Sequence, residues 1–304
     1  MTKRLLTPIA VLALVLVACT ADDPGGPGES SAAAGASGEA PPELTGSGIS
    51  EFEAPAVDVT GDTISAIQDA GTLKCGVKFD VFAFGYENPE SGDVEGMDAD
   101  LCRVIAESLG VEPEFIEAIS DNRIPYLEDD TVDIVISTFT INDERREQID
   151  FSDPYYVAGQ SILTMSDNEE IQGIDSLAGT TVCSVTGSTS EQNIREMAPE
   201  AEVSLFGTYT EAAQALVDGR CHAVSTDDII LFGLAERFEG TELRGEPFTQ
   251  EDYGIGVKKG KEDLVEYINA VFDGIWENGS YESIFTQHVG NYVDEMATPP
   301  FAEN

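Results

Sequence analysis

Basic side chains are scarce in this chain of 304 residues: Lys and Arg together number 15 against 58 Asp and Glu, which gives a formal net charge of −43 at pH 7. Such a charge repels nucleic-acid phosphates and anionic lipid surfaces. A nucleic-acid-binding protein needs a concentrated basic patch, and no run of Lys or Arg here is longer than Arg145-Arg146. We therefore exclude nucleic acid as a partner.

Metal-binding side chains are also few. His222 and His288 are isolated in the sequence, and no Cys-x-x-Cys pair occurs. Zinc sites are built from clustered Cys and His, so we expect no metal site and no cofactor. The 41% of hydrophobic residues is ordinary for a globular protein, and the length predicts about two domains with a sizeable core.

The first residues are typical of an export signal. Lys3 and Arg4 precede an apolar run over 5–18, which ends in Leu-Val-Ala before Cys19. These 14 residues span about 21 Å as a helix, less than the roughly 30 Å of a membrane's hydrocarbon core. The segment 1–18 resembles a bacterial lipoprotein signal peptide, which implies cleavage before Cys19, lipidation of that cysteine and an extracytoplasmic protein anchored to the cell membrane. An ordinary secretory signal with a chance cysteine is the alternative.

Residues 19–62 are predicted to form a flexible, lipid-anchored linker. Their composition is mainly Gly, Pro, Ser, Ala and Glu, and Leu44 is the one large apolar residue between positions 24 and 48. Such a composition cannot build a core. A tether of this length has a root-mean-square span of roughly 35 Å, so it would hold a globular body away from the membrane.

The rest of the chain predicts an α/β protein, because strand and helix patterns alternate along it. The first predicted set comprises strands at 72–77, 112–116 and 132–137 and helices at 97–109, 123–128 and 142–149. The second comprises strands at 181–185, 202–206 and 222–225 and helices from 190, at 210–217 and at 228–238. A strand at 253–257 and helices at 261–277 and 281–287 follow, and they are too small to form a third domain.

Eight segments together carry a family resemblance over about residues 63–290. They are GTL at 71–73, GMDADL at 96–101, NRIP at 122–125, TFTINDER at 138–145, FSDPYY at 151–156, GSTSEQ at 187–192, STDD at 225–228 and YGIG at 253–256. In this order they resemble the family 3 solute-binding proteins of ABC transporters, which take polar amino acids. One such segment alone is a weak signal, whereas the ordered set is specific.

The resemblance implies a two-lobed periplasmic-binding-protein type II fold with the ligand cleft between the lobes. Lobe 1 would comprise residues 63–160 and 254–293, lobe 2 residues 161–253, and residues 294–304 a tail. The implied protein is a monomer that closes on its ligand by a hinge motion. It would deliver the ligand to an ABC permease with its ATPase subunit.

An amino acid zwitterion needs donors for its carboxylate and an acid for its ammonium group. The planar guanidinium of Arg145 suits the carboxylate, and Thr138 and Thr140 offer further donors. In lobe 2 the resemblance assigns ligand contacts to Ser188 and Thr189 and the ammonium contact to Asp227. The alternatives are local: Thr140 caps a helix, Arg145 pairs with a neighbouring Glu, and Ser188 forms a capping box with Glu191.

Three positions bear on the ligand's side chain. In the glutamate- and aspartate-binding branch of the family, a basic residue, a Ser and an Arg surround the distal carboxylate, and Lys78, Ser120 and Arg123 match these positions. Glutamine is an alternative, because an amide oxygen also accepts from Arg and Lys. Phe79 or Phe84 would pack on the ligand's aliphatic part, although Ala83-Phe84 departs from the family's frequent Pro-Phe pair.

Besides Cys19, four cysteines remain, and they allow three pairings. We favour Cys75 with Cys102 and Cys183 with Cys221, because each pair lies within one lobe and an exported protein meets oxidising conditions. Buried free thiols are the alternative.

The predicted function is capture of glutamate or aspartate for import, without catalysis. An enzyme on the same fold, of the dehydratase or lytic transglycosylase type, and a ligand sensor without transport are the alternatives, since fold alone does not fix function.

Overall fold

The structure is a computed structural model that describes residues 48–293 and 296–303. The predicted signal peptide, Cys19 and the first part of the predicted linker lie outside the described residues. The helices in chain order are α1 (Asp62–Ala70), α2 (Met97–Leu109), α3 (Arg123–Glu128), α4 (Asp143–Gln148), α5 (Thr189–Met197), α6 (Tyr209–Val217), α7 (Asp228–Arg237), α8 (Glu262–Glu277) and α9 (Ser280–His288).

The strands are mostly short, and several were not predicted from the sequence. They are β1 (Thr72–Val77), β2 (Asp80–Val81), β3 (Gly85–Glu87), β4 (Val94–Glu95), β5 (Glu112–Glu117), β6 (Ile134–Val135), β7 (Ile149–Phe151), β8 (Tyr156–Ala158), β9 (Gln160–Met165), β10 (Thr181–Val185), β11 (Glu202–Phe206), β12 (Ala223–Asp227), β13 (Thr241–Arg244), β14 (Glu251–Tyr253) and β15 (Gly256–Lys258).

Two five-stranded sheets organise the fold. The first has the order β5-β1-β6-β15-β7 and the second the order β11-β10-β12-β9-β13. In each sheet the strands of the βαβ units run parallel, and strands from elsewhere in the chain join antiparallel. We call the bodies built around the first and the second sheet lobe 1 and lobe 2. The predicted α/β fold with two lobes is confirmed.

The chain crosses between the lobes at β8 and β14. These two strands pair antiparallel with each other, with Tyr253 opposite Tyr156, and each leads directly into a strand of the other lobe. The single strand predicted at 253–257 is therefore wrong, because β14 and β15 belong to different sheets. A hinge motion between two lobes is absorbed by a few residues at the ends of elements, and the ends of β8 and β14 are such positions here.

Helix α2 shows how the sequence determines an element. Its apolar residues Leu101, Val104 and Ile105 recur at helical spacing and are fully buried, which predicts an amphipathic helix against a core. Gly110 ends the helix with φ of 75°, a left-handed conformation that glycine adopts without strain.

Helices α8 and α9 pack on α1 and α2 of lobe 1. Two helices are too small to form a separate domain, so this packing on an existing lobe is expected.

Residues 48–61, which fall within the predicted linker, pack on lobe 1. The amide of Ser50 donates to Asp100 Oδ2 at 2.8 Å, and Ser108 Oγ donates to the Pro55 carbonyl at 2.7 Å. Phe52, Val57 and Val59 rest against the core. These apolar residues interrupt the polar composition of the linker and are the physical reason for the contact.

The structure contains both favoured disulfides, Cys75–Cys102 and Cys183–Cys221. The first links β1 to α2 within lobe 1, and the second lies wholly in lobe 2. Among the described residues, no helix is long and apolar enough to cross a membrane.

Candidate functional site

Arg145 lies in the cleft between the lobes. Helix α4 begins after Asn142, whose side chain accepts from the Arg145 amide at 2.9 Å, so the helix cap is Asn142 and not Thr140. The Arg145 guanidinium is buried, donates to the Thr140 carbonyl and lies 4.9 Å from the ring centre of Phe139. Burial lowers the pKa of Arg145, because a charge in a dry site loses its hydration. The alternative of a solvated ion pair is excluded.

Arg123 lies against the same ring, with its guanidinium carbon 4.2 Å from the Phe139 ring centre. Its Nε donates to the Ser120 carbonyl at 3.1 Å, and its Nη1 donates to the carbonyls of Ser137 at 3.0 Å and Thr138 at 3.1 Å. Burial, followed by the nearby Arg145 charge, lowers the pKa of Arg123 to about 9. Arg123 therefore fixes the loop after β6 and adds positive charge to the cleft.

Lys78 follows β1 and is 2% exposed. Its Nζ donates to Ser120 Oγ at 3.0 Å. Burial, reinforced by the Arg123 charge, lowers the pKa of Lys78 to about 7. Lys78, Ser120 and Arg123, which were predicted to surround the end of the ligand's side chain, are thus adjacent in the structure.

Asp227 ends β12 and brings a buried acid from lobe 2. Its Oδ2 accepts from the Tyr253 hydroxyl, whereas its Oδ1 is buried and has no hydrogen-bond partner among the described residues. Burial, with Glu251 as the next contribution, raises the pKa of Asp227 to about 7. A buried acceptor without a partner is costly, and an ammonium group would satisfy it.

Ser188 caps helix α5 in lobe 2. Its Oγ accepts from the Glu191 amide at 3.1 Å, whereas the Glu191 carboxylate accepts from the Gly187 amide at 3.3 Å, so only the serine half of the capping box is present. Thr189 Oγ1 lies 3.4 Å from Thr140 Oγ1 of lobe 1. The first turn of α5 therefore faces the Arg145 region across the cleft, where helix amides and a guanidinium could share one carboxylate.

Thr138 has an unusual backbone conformation, with φ of 41°. The amide of Thr138 donates to Asp98 Oδ2 at 2.8 Å, and the Tyr155 hydroxyl donates to Asp98 Oδ1 at 2.6 Å. Positive φ is strained for a β-branched residue. The hydrogen bond from the Thr138 amide to the buried Asp98 carboxylate stabilises this strained turn. Thr138 Oγ1 is a buried hydroxyl for which the described residues provide no partner.

Gly187 of lobe 2 contacts both arginines of lobe 1. Its carbonyl accepts from Arg145 Nη2 at 3.3 Å and from Arg123 Nη2 at 3.4 Å. A Cβ at this position would lie 2.8 Å from Asp121 Cα of lobe 1. Beside these contacts a cavity of about 270 Å³ is lined by both lobes, including Ser120, Arg145 and Gly187.

The two phenylalanines predicted to contact the ligand occupy different environments. Phe79 is half-buried. Phe84 is fully buried and packs edge-on against Tyr156 and Tyr253, with ring centres 5.1 and 5.6 Å away, so its ring belongs to the core under the crossing strands.

Sequence reasoning missed two aromatic residues of the cleft. Phe139 packs in the core of lobe 1, and its ring also supports both guanidinium groups, a role that the sequence did not indicate. Tyr209 was not singled out, and its ring centre lies 5.6 Å from Lys78 Nζ. Tyr209 follows the capping residue Thr208 directly and so lies in the first turn of α6. In an α/β unit the first turn of a helix lies near the carboxyl end of the preceding strand, and this position could have indicated a cleft residue.

The site brings together the buried cations Lys78, Arg123 and Arg145 and the buried acid Asp227, with the buried Asp98 behind the Thr138 turn. Such a set is suited to holding a small molecule that carries charges of both signs. Within 48–293 and 296–303, no group of three or more His, Cys, Asp or Glu side chains is arranged to hold a metal ion.

Comparison with known proteins identifies the family. Residues 73–291 match the bacterial extracellular solute-binding proteins, family 3. The chain is 43% identical over 232 residues to the ABC transporter glutamine-binding protein GlnH of Bacillus subtilis, covering 75% of this chain and 85% of the relative. It is 31% identical over 255 residues to the glutamate-binding protein GluB of Corynebacterium glutamicum, covering 79% and 86%.

A solved structure agrees with this result. It is an ancestral amino acid-binding protein described as a precursor of cyclohexadienyl dehydratase, with a TM-score of 0.71 and 33% identity, covering 75% of this chain and 99% of that one. The closed cleft, the two lobes and the sequence match lead to one conclusion: the chain belongs to family 3 of the bacterial extracellular solute-binding proteins.

Proposed function

We propose that this protein binds glutamate or glutamine between its lobes and delivers it to an ABC importer. The observation that carries the proposal is the buried Lys78–Ser120 pair beside Arg123, which offers a positive pocket to a side-chain oxygen. The predicted role as a binding component in amino acid import is confirmed by the glutamine- and glutamate-binding relatives.

The balance of charge favours glutamate. Arg145 would hold the ligand's α-carboxylate and Asp227 its ammonium group, which leaves Lys78 and Arg123 as further positive groups. Among the described residues, neither cation forms an ion pair with a carboxylate, although Asp80 and Asp98 act on Lys78 at longer range, and a buried charge without a close counter-ion is unfavourable. A second carboxylate on the ligand would neutralise this pocket, and aspartate carries the same groups on a shorter side chain.

Glutamine is the second candidate, because a specific observation supports it. The Arg123 donors point to backbone carbonyls of Ser120, Ser137 and Thr138, so Lys78 is the better placed donor for the ligand. An amide oxygen suffices for one such donor. The B. subtilis relative, which is named for glutamine, also has the higher identity of the two compared here.

The test is calorimetric titration of glutamate, glutamine and aspartate into wild type and Lys78→Met. We expect the variant to weaken glutamate binding on the order of 100-fold and glutamine binding about 10-fold, since a charge-assisted hydrogen bond is worth more than a neutral one. Lys74→Met is the matched control, because Lys74 lies in β1, the strand that Lys78 follows, and is partly exposed. Equal affinities in wild type and Lys78→Met would remove Lys78 from ligand recognition.

The same proposal holds that the protein makes and breaks no bond and is anchored by a lipid on Cys19. Support for binding without catalysis comes from the transport proteins among its relatives, although one structural neighbour is a precursor of a dehydratase. Support for the anchor comes from the sequence before Cys19. Mass spectrometry of the membrane-extracted protein checks the anchor, and an unmodified Cys19 would refute it.

A further inference from the structure

A carboxylate of lobe 1 contacts a helix of lobe 2 next to the ligand-binding groups. Asp80, in β2, accepts through Oδ2 from the amide of Tyr209 at 2.8 Å and from the amide of Thr210 at 3.2 Å. These two residues begin α6. The contact therefore joins the lobes through the start of a helix, without using Arg145, Lys78 or Asp227.

The start of α6 is only partly capped by its own lobe. Thr208 Oγ1 accepts from the Glu211 amide at 3.2 Å, and the Glu211 carboxylate accepts from the amides of Thr208 at 3.2 Å and Gly207 at 3.1 Å. The first amides of a helix have no acceptor within the helix. Asp80 supplies an acceptor for the amides of Tyr209 and Thr210 and places a negative charge at the positive end of the helix dipole.

The position of α6 matters for the ligand pocket because the helix carries Tyr209. The Tyr209 side chain is 4% exposed, and its ring centre lies 5.6 Å from Lys78 Nζ. Asp80 and Lys78 are two residues apart on lobe 1. The segment 78–80 of lobe 1 therefore provides both the pocket's cation, Lys78, and the carboxylate of Asp80, which positions Tyr209 on the opposite side of the pocket.

We propose that Asp80 is a positioning residue that holds α6, and with it Tyr209, in the closed arrangement and thereby slows release of the bound amino acid. Asp80 acts through the helix and not by touching the ligand. Its cap can form only when the lobes approach each other, so its effect belongs to the closed form. The inference rests on binding by lobe closure and does not depend on which amino acid is bound.

The experiment compares Asp80→Ala and Asp80→Asn with wild type by displacement of labelled glutamine. Loss of a helix cap predicts a dissociation rate about tenfold higher for Asp80→Ala, with the association rate changed less than about twofold. Asp80→Asn keeps an oxygen that accepts from the same amides and should recover most of the loss. Glutamine is the probe because the Asp80 charge also acts on Lys78, which would complicate the result for glutamate.

The control is Asp93→Ala, an exposed carboxylate on the turn between β3 and β4 of the same lobe, which should leave the dissociation rate unchanged. Thermal melting of the ligand-free variants separates a closure effect from a general loss of stability. The proposal is overturned if Asp80→Ala releases glutamine at the wild-type rate, if Asp93→Ala has the same effect, or if Asp80→Asn fails to recover the rate.

A failure of the proposed specificity gives a different result. Wild type would then bind neither glutamate nor glutamine, and the Asp80 comparison would use the amino acid identified by a calorimetric screen of the common amino acids.

Small-angle scattering adds a second readout, since a weakened closed form predicts a larger radius of gyration for Asp80→Ala at a ligand concentration that half-saturates wild type. Equal radii, or no binder at all, would overturn the assignment.

Discussion

The two lobes bring opposite charges to the cleft. Lobe 1 provides three buried cations, Lys78, Arg123 and Arg145, each with a pKa lowered first of all by burial. Lobe 2 provides Asp227, whose pKa burial raises to about 7, and the start of α5. Among the described residues, none of these four groups forms an ion pair within its own lobe, although Asp98 acts on Lys78 and Arg123 at longer range. A zwitterion held as proposed would bring the opposite charge to both lobes at once, and binding would then be coupled to closure.

The largest effect should come from removing the cation that faces α5. We expect Arg145→Ala to weaken glutamine binding roughly 100- to 1,000-fold in calorimetric titration, because truncating one partner of a buried charged pair costs about 2–5 kcal/mol. Arg145→Lys should recover only part of this, since it keeps the charge and loses the planar fork. Arg146→Ala is the control, because Arg146 is the exposed neighbour on α4, and a comparable loss there would refute the distinction.

The acid of lobe 2 predicts a dependence on pH. An ammonium group needs the deprotonated form of Asp227, whose pKa is about 7, so binding below that pH must release a proton. Glutamine affinity should fall about tenfold for each pH unit below roughly 7. For glutamate the fall should be shallower, because Lys78, with a pKa of about 7, gains its charge over the same range.

Proton release at pH 6, measured by calorimetry in two buffers of different ionisation enthalpy, checks this expectation. Asp227→Asn should bind glutamine more weakly at pH 8 and show no proton release. A wild-type glutamine affinity that is constant between pH 5.5 and 8 would contradict the assignment of the ammonium group to Asp227.

A smaller effect should follow from separating the lobes without changing charge. In Gly187→Ala the new Cβ would meet the Asp121 backbone, so we expect about tenfold weaker binding and a larger radius of gyration with ligand bound. Gly179→Ala is the matched control: both glycines have φ of 75°, but the space around Gly179 is open. Strain at positive φ is thus common to both variants. Equal binding losses in the two variants would show that the contact of the new Cβ with the Asp121 backbone has no effect.

The sequence predicts the scaffold well where its patterns are long. The apolar spacing of 97–109 and its terminal glycine correspond to α2, and the strands 72–77, 181–185 and 202–206 have the bounds of β1, β10 and β11. The small antiparallel sheet of β2, β3 and β4 was missed, because strands of two or three residues are too short to show an alternation of apolar and polar residues. The strand β14 was missed as a separate element, because the apolar run over 253–257 contains the end of β14 and the start of β15.

In the candidate site, too, residues that belong to a recognisable sequence segment could be predicted, whereas residues whose role depends on contacts far away in the sequence could not. Arg123, Arg145 and Asp227 could be named from their segments, since each segment carries a recognisable order of residues. The roles of Phe139, Gly187 and Asp80 depend on contacts with residues far away in the sequence, such as Asp80 with Tyr209. No spacing within one segment indicates such a contact, so only the packed structure reveals it.

The three buried cations belong to a chain of net charge −43, which affects how fast a ligand can arrive. Glutamate carries a net negative charge and must cross a repulsive field before it reaches the cleft, whereas zwitterionic glutamine meets no net force at long range. Added salt shortens the reach of that field to about 8 Å at physiological ionic strength. Capture of glutamate should therefore speed up as the medium becomes saltier, while capture of glutamine should hardly change.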